Sequence, residues 1–193
     1  MPYWKDNSIT PERKKEVLDA FLRLLIVQGV ADTSVRDLSS AIKLQSAGMY
    51  YYFSTKEDLV ATCAEEAEKR LEHELIAALT KKIVEPHEFF MRLKAKSRQM
   101  APMIKFYLQV CSTPKYNELL KDSLASIPER YEYYASRYAR EIGCTTEEIV
   151  PHLYRCVITM TNIMVFGENA YNQQQIDLIE LAIVDLIGKY KVI

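Results

Sequence analysis

Residues 29–59 contain helix start and stop signals so closely spaced that only short helices fit between them. Ser34 is followed three residues later by Asp37, the spacing of a capping box, in which each side chain accepts a hydrogen bond from the other residue's backbone N–H. We therefore expect a short helix to begin near Ser34 and to end at a tight turn around Lys43. A second short helix is predicted over residues 45–51, directly after that turn.

Longer helices are predicted on either side of this segment. Thr10 and Pro11 form a good start for the first helix, because threonine is a favourable N-cap and proline at the first helical position loses no needed hydrogen bond. Gly29 is placed to end that helix. Thr55, with Asp58 three residues later, is placed to start a long helix after the two short ones.

The whole chain has the composition of an all-α protein. Only 5 of its 193 residues are glycine and 7 are proline, which is few for the many tight turns of a β protein. Helical spacing of apolar residues continues to the end of the chain, with no internal repeat or long linker. We expect two domains: residues 8–70, with the two short helices at about 34–53, and a helical domain over residues 71–193.

The second short helix has side chains that suit the major groove of DNA. Its first residues are small or polar, which lets the backbone approach the bases. These residues are Gln45, Ser46, Ala47 and Gly48. At the other end, Tyr50, Tyr51 and Tyr52 can donate hydrogen bonds to phosphates or pack on thymine methyl groups. Lys56, in the first turn of the next helix, can hold a phosphate beside free backbone amides. Tyrosines are also typical core residues, but three adjacent ones in a helix point in three directions.

This segment resembles the DNA-binding domain of the tetracycline-repressor (TetR) family of bacterial regulators. The resemblance covers about residues 10–60 and rests on the runs 34–38, 49–53 and 56–59. It implies a three-helix DNA-binding unit followed by a domain for effector binding and dimerisation. The roles it implies by position are a base-edge or phosphate contact for Arg36, base-edge contacts for Ser46 and Ala47, phosphate contacts for Tyr50, Tyr52 and Lys56, and a phosphate or thymine contact for Tyr51.

Two positions depart from the family pattern. Lys43 stands where the family usually has the glycine of the turn, so we expect backbone strain there. Gly48 stands where a serine or threonine commonly contacts a phosphate, and a glycine weakens a helix by roughly 0.5–1 kcal/mol relative to alanine. The second short helix is therefore predicted to be partly mobile until it meets DNA.

The last two predicted helices, residues 146–171 and 173–191, are apolar around most of their circumference. A helix on the surface of a monomer needs one apolar stripe, so wider coverage indicates burial on two sides. We expect a homodimer in which these helices pair into a four-helix bundle, as the resemblance also implies. A monomer with a large core is the alternative. The predicted interface residues are Tyr154, Val157, Ile158, Thr161, Val165, Ile176, Ile179, Ile183 and Leu186.

The middle helices carry methionine and tyrosine side chains at helical spacing. This pattern suits a largely apolar effector pocket with a few orienting hydroxyl groups, although a stripe of this kind is more often part of an ordinary core. The candidate effector contacts are Met103, Phe106, Tyr107, Cys111, Tyr131, Tyr134, Tyr138 and Met160. An aromatic compound, an acyl compound and a drug are all compatible with this pattern.

The remaining features limit the alternatives to this interpretation. No histidine, cysteine or acidic residue has metal-ligand or catalytic spacing, so we expect no metal, cofactor or enzymatic activity. Isolated cysteines, with no signal-peptide pattern and no apolar run as long as a membrane span, favour the cytoplasm.

The expected function is a ligand-responsive repressor that binds a palindromic operator as a dimer. The net charge of the chain is −1, and residues 1–60 have equal numbers of acidic and basic side chains. This neutrality, with the departures at Lys43 and Gly48, keeps a second function open: an all-helical small-molecule-binding protein or enzyme that has lost DNA binding.

Overall fold

The computed structural model describes residues 5, 8–43, 45, 48–79 and 86–190. These residues form nine α-helices and no β-strand, which confirms the all-α prediction. The helices are α1 (Pro11–Gln28), α2 (Val35–Ala41), α3 (Met49–Tyr52), α4 (Lys56–Leu79), α5 (Pro86–Cys111), α6 (Pro114–Ala125), α7 (Ile127–Ile142), α8 (Thr146–Phe166) and α9 (Ala170–Tyr190).

The helices belong to two compact units. The first contains the described residues up to Leu71 together with Pro102–Ser123, and the second contains the described residues of 72–101 and those from Leu124 onward. A single division at residue 70 therefore does not describe the compact units, because the end of α5 and most of α6 join the first one. The functional assignment of the ranges 8–70 and 71–193 stays a prediction.

Side-chain caps fix where several helices begin, as the sequence predicts. Ser34 and Asp37 form a capping box at α2, with backbone N–H to side-chain oxygen distances of 2.9 and 3.2 Å. Thr55 and Asp58 exchange the same pair of bonds at the start of α4, at 3.0 and 3.1 Å. Each box satisfies two backbone N–H groups that the helix itself leaves without an acceptor.

The first unit has an aromatic centre. The rings of Phe21 in α1 and Phe53 after α3 are fully buried, with centroids 6.2 Å apart. An ion pair between Asp19 and Arg70 adds a polar link between α1 and α4. Burial of one such ring contributes about 1.5–3 kcal/mol, so this centre fixes the helices around the two short ones.

In the second unit, α8 packs against both α7 and α9. Gly143 ends α7 in a left-handed conformation (φ 91°). The prediction that the next helix continues to residue 171 is wrong: α8 ends at Phe166, where Gly167 has φ 82°. At the other end of α8, Glu148 accepts hydrogen bonds from Lys189 and Tyr190 of α9.

Among the described helices, only α8 is long and apolar enough to cross a membrane. This finding corrects the expectation that no apolar segment is as long as a membrane span. This property of α8 is judged from its length and composition alone. In the fold, α8 buries Leu153, Met160 and Ile163, and it lies between α7 and α9. Its apolar residues thus contribute to a helical core.

Candidate nucleic-acid interface

Helices α2 and α3 are packed against each other through their last and first turns. Ser39 Oγ of α2 accepts a hydrogen bond from the backbone N–H of Met49 at 3.3 Å, in a buried position. Leu38 and Met49 are fully buried. The backbone N–H of Gly48 donates to the carbonyl of Gln45 at 2.7 Å, so a turn precedes α3, which begins at Met49 and not at Gln45 as predicted. Glycine's low helix propensity explains the later start.

The turn between the two helices has the predicted strain. Lys43 has φ 59°, the one positive value at a non-glycine residue in the described part of the chain. A left-handed backbone at an L-residue costs roughly 1–2 kcal/mol. The side chain of Lys43 is exposed. The positive φ therefore serves to turn the backbone from α2 toward α3, and it does not serve to place the side chain in the core.

Four of the predicted DNA contacts lie on the surface of this unit. Tyr50 and Tyr51 are 45% and 58% exposed, and Arg36 and Gln45 are exposed as well. Gly48 is half-buried at the start of α3. Ser46 and Ala47 lie outside the described residues. The exposed tyrosines present phenol groups that can reach phosphate or thymine.

Tyr52 is placed differently from the prediction. Its side chain is only 5% exposed, and the centroids of its ring and the Tyr51 ring are 5.1 Å apart in an edge-to-face arrangement. Its hydroxyl accepts a hydrogen bond from Arg13 Nε at 3.2 Å. The prediction that Tyr52 contacts a phosphate is thus corrected. Its ring is buried and its hydroxyl binds the guanidinium of Arg13, so Tyr52 supports α3 from the interior of the first unit.

Lys56 also has another task than the predicted one. Its ammonium donates to the backbone carbonyls of Val30 and Thr33, at 2.9 and 2.5 Å. These carbonyls belong to the turn between α1 and α2. The half-buried side chain of Lys56 therefore connects that turn to the start of α4. Of its three N–H groups, only the third is left to bind a phosphate.

The structure adds two residues that the sequence did not indicate. The backbone N–H of Lys5 donates to the carbonyl of Tyr52 at 2.7 Å, and Lys5 Nζ lies 3.3 Å from the carbonyl of Tyr50. Arg13, in the first turn of α1, reaches Tyr52. The run of three cations at residues 13–15 is the signal that could have indicated this side of α1, whereas nothing near Lys5 does so.

The model of the family "Bacterial regulatory proteins, tetR family" matches residues 17–63, which include the whole helix-turn-helix. Residues 17–63 are thus similar to the N-terminal part of TetR-family regulators. Lys5 and Arg13 lie outside the matched segment.

Solved structures have the same fold as this chain. A protein from Rhodococcus sp. described as a TetR-family transcriptional regulator has a TM-score of 0.61 at 12% identity, over 92% of this chain and 100% of that one. The TetR-family regulator PfmR from Thermus thermophilus has a TM-score of 0.55 at 22% identity, over 86% of this chain and 96% of that one. A TetR variant from Acinetobacter baumannii AYE, in complex with minocycline, has a TM-score of 0.50 at 17% identity, over 92% and 96%. No curated protein matches in a comparison of sequences.

The predicted effector contacts fall in both compact units. The first unit holds Met103, Phe106, Tyr107 and Cys111; the second holds Tyr131, Tyr134, Tyr138 and Met160. A cavity of about 330 Å³ near Lys56 and a cavity of about 260 Å³ near Asn172 are lined by other residues. The eight residues stay a prediction, and the burial of Phe106 and Met160 fits the core alternative equally well.

Two of the predicted contacts have distinctive polar surroundings. Burial raises the pKa of the Tyr107 phenol, and the nearby Cys111 and Glu68 raise it further. Burial also raises the pKa of Tyr134 to about 12, and its hydroxyl donates to Glu72 at 2.8 Å. These phenols stay protonated at neutral pH, so they act as hydrogen-bond donors.

The predicted dimer residues divide into two groups. On α8, Tyr154 and Ile158 are exposed, and Val157, Thr161 and Val165 are half-buried. On α9, the predicted residues point into the protomer instead of outward: Ile176, Ile179, Ile183 and Leu186 are all buried. That part of the prediction is wrong, because these four pack inside the second unit. The outward face of α9 carries Leu178, Leu181 and Val184.

In the described part of the chain, no group of three histidine, cysteine or acidic side chains is arranged to hold a metal ion. Cys63, Cys111, Cys144 and Cys156 are free thiols. Burial raises the pKa of the Cys156 thiol to about 12, so this thiol is unreactive at neutral pH.

Proposed function

We propose that this protein is a ligand-responsive repressor of the TetR family that binds a two-fold symmetric operator as a homodimer. The observation that carries the proposal is the exposure of Tyr50 and Tyr51 on a short helix held at its base by buried Met49. Side chains that reach outward from a fixed helix are what base and phosphate contacts require.

Local charge supports DNA binding where the net charge does not. Lys5, Arg36 and Lys43, which lie in or near α2 and α3, are each exposed, and Arg13 lies beside Tyr52. Counterion release depends on the phosphates that individual cations neutralise, so a domain with balanced charge can still bind DNA. The proposed direct contacts are Arg36, Gln45, Ser46, Ala47, Gly48, Tyr50 and Tyr51, with Lys56 holding the turn that precedes α2.

The proposed dimer uses the apolar residues that α8 and α9 leave exposed. These include Tyr154 and Ile158 on α8, and Leu178, Leu181 and Val184 on α9. Exposed apolar residues on two helices that pack against each other are typical of an interface between subunits. A two-fold dimer presents two copies of α3, one for each half-site.

The proposed effector is a largely apolar molecule with one or two polar groups. Tyr107 supports this choice, because its hydroxyl is buried and makes no hydrogen bond of ordinary geometry within the described residues. A ligand group that accepts from this hydroxyl would satisfy it. The TetR variant from Acinetobacter baumannii was solved with minocycline, a precedent for a drug-sized ligand on this fold. An effector releases the operator only if it binds the DNA-incompetent arrangement more tightly.

The test is DNA binding by the full chain. Fluorescence anisotropy with the DNA upstream of the chain's own gene, measured from about 50 to 200 mM salt, should give an affinity that falls steeply with salt. The Tyr50→Ala, Tyr51→Ala double variant should bind at least about ten-fold more weakly and keep its thermal unfolding midpoint. No affinity for any DNA at low salt would instead favour a small-molecule carrier or enzyme. The proposal places the protein in the cytoplasm with the chromosome and assigns it no catalysis.

A further inference from the structure

Lys5, which precedes α1, is bound to the C-terminal end of α3. Lys5 contributes both its backbone, whose N–H donates to the Tyr52 carbonyl at 2.7 Å, and its side chain, whose ammonium lies 3.3 Å from the Tyr50 carbonyl. The last carbonyls of a helix have no partner within the helix. Two of them are thus satisfied by one residue that lies 45 or more positions away in the sequence.

Arg13 approaches the same end of α3 from α1. Its Nε donates to the Tyr52 hydroxyl at 3.2 Å, and its guanidinium carbon lies 5.9 Å from the centre of the Tyr52 ring. Its Nη1 is paired with Glu16 at 3.0 Å, on an exposed part of α1. The Arg13 side chain is 41% exposed, so it is held in place by Tyr52 and still open to solvent.

We propose that Lys5 and Arg13 are DNA-contacting residues that extend the interface beyond the TetR-type motif, each binding one backbone phosphate beside the segment that Tyr50 and Tyr51 contact. The inference rests on the proposed DNA binding. Both cations touch the helix that carries the two exposed tyrosines, so DNA that reaches those phenols lies within reach of both charges. A unit whose acidic and basic residues balance needs such placed cations to bind phosphate.

A purely structural role is the competing explanation, because both residues also support α3. The salt dependence of binding separates the two roles. Loss of one phosphate contact flattens the plot of log affinity against log salt by about 0.9, hence by about 1.8 for a dimer. Loss of support for α3 lowers affinity and leaves the slope unchanged.

The experiment compares the full chain with Lys5→Ala, Arg13→Ala and the double variant, on operator DNA and on unrelated DNA. Each single variant should flatten the slope by about 1.8 per dimer and the double variant by about twice that, equally on both DNAs. Lys5→Arg should keep the original slope. Lys15→Ala is the matched control, because it removes an exposed cation from another side of α1. Lys15 lies on the same face of α1 as Asp19, and that face is directed toward Arg70.

Glu16→Gln provides a test of opposite sign. Its carboxylate lies beside Arg13 and would be repelled by a phosphate bound there, so its neutralisation should strengthen DNA binding by roughly two- to five-fold at low salt. Unchanged slopes in both alanine variants would overturn the inference and leave the proposed function standing. If the unaltered chain binds no DNA, the proposed function fails, and this inference fails with it.

Discussion

The ammonium of Lys56, the first residue of α4, lies 2.9 Å from the backbone carbonyl of Val30, just beyond the end of α1. The same ammonium donates to Thr33, next to the residue that caps α2. One side chain thus fixes the length and direction of the turn that leads into the helix-turn-helix.

Removal of this contact should destabilise the first unit. We expect Lys56→Ala to lower the free energy of unfolding by about 1–3 kcal/mol, because two hydrogen bonds from a charged donor are lost. Urea denaturation followed by circular dichroism measures this change, with Lys105→Ala, an exposed lysine of α5, as the control. Unchanged stability combined with a flatter salt dependence of DNA binding would return Lys56 to a phosphate-binding role.

The strained turn gives a prediction in the opposite direction. Lys43→Gly should raise the free energy of unfolding by about 1 kcal/mol, because glycine adopts a positive φ without steric cost. The matched control is Lys105→Gly, inside α5, which should lower it by about 1 kcal/mol. Thermal unfolding of the two variants measures both effects. A loss of stability in Lys43→Gly would show that the lysine side chain makes a contact that outweighs the strain.

The exposed face of α9 should control the oligomeric state. Leu181→Glu places a charge on a side chain that is 58% exposed, so we expect a folded monomer in place of a dimer. Analytical ultracentrifugation at micromolar concentration measures the change, and operator affinity should fall at least about ten-fold. Val27→Glu, on α1, is the control, since Val27 is even more exposed and lies outside α8 and α9. A dimer that survives Leu181→Glu would exclude this face.

Buried residues of the same helix should behave differently. Ile179→Ala should lower the free energy of unfolding by about 2–5 kcal/mol, since Ile179 is fully buried within the second unit. Urea denaturation at two protein concentrations separates this loss from dissociation of the dimer. A change in dimer dissociation without a loss of protomer stability would place Ile179 at the interface after all.

Acid stability should depend on Glu148. Hydrogen bonds from Lys189, the Thr145 backbone and Tyr190 lower the pKa of this carboxyl to about 2. The stabilisation is therefore complete above the ordinary carboxyl pKa near 4.5 and is lost as the pH falls toward 2, because the unfolded chain takes up the proton first. Glu148→Gln should be less stable at neutral pH and show a shallower loss of stability between pH 4.5 and about 2. Glu147→Gln, in the same helical turn, is the control. Equal acid profiles for the two variants would contradict this role.

Local signals were sufficient to predict much of the first unit. Ser34 with Asp37, and Thr55 with Asp58, satisfy helix ends through residues three positions apart, and such pairs are visible in any sequence. The strain at Lys43 was predicted for a similar reason, since one residue had to make the turn. Gly167 carried the same kind of signal for the end of α8, and its omission made the predicted helix too long.

Contacts between distant residues could not be predicted in this way. Tyr52 was assigned to phosphate because adjacent tyrosines look equivalent in sequence, whereas its hydroxyl meets Arg13, which lies 39 positions away. Ile176 and Ile179 were assigned to the dimer because α9 is apolar on two sides, and periodicity does not say which side faces its own protomer.

The attachment of Lys5 to Tyr52 has an evolutionary consequence. Residues that face the bases set which operator is read, and a change there alters the choice of target. Lys5 acts at the backbone of α3, where every amino acid presents the same carbonyl. Selection could therefore raise or lower the occupancy of all operators together by substitutions at position 5, while the recognised sequence stays the same.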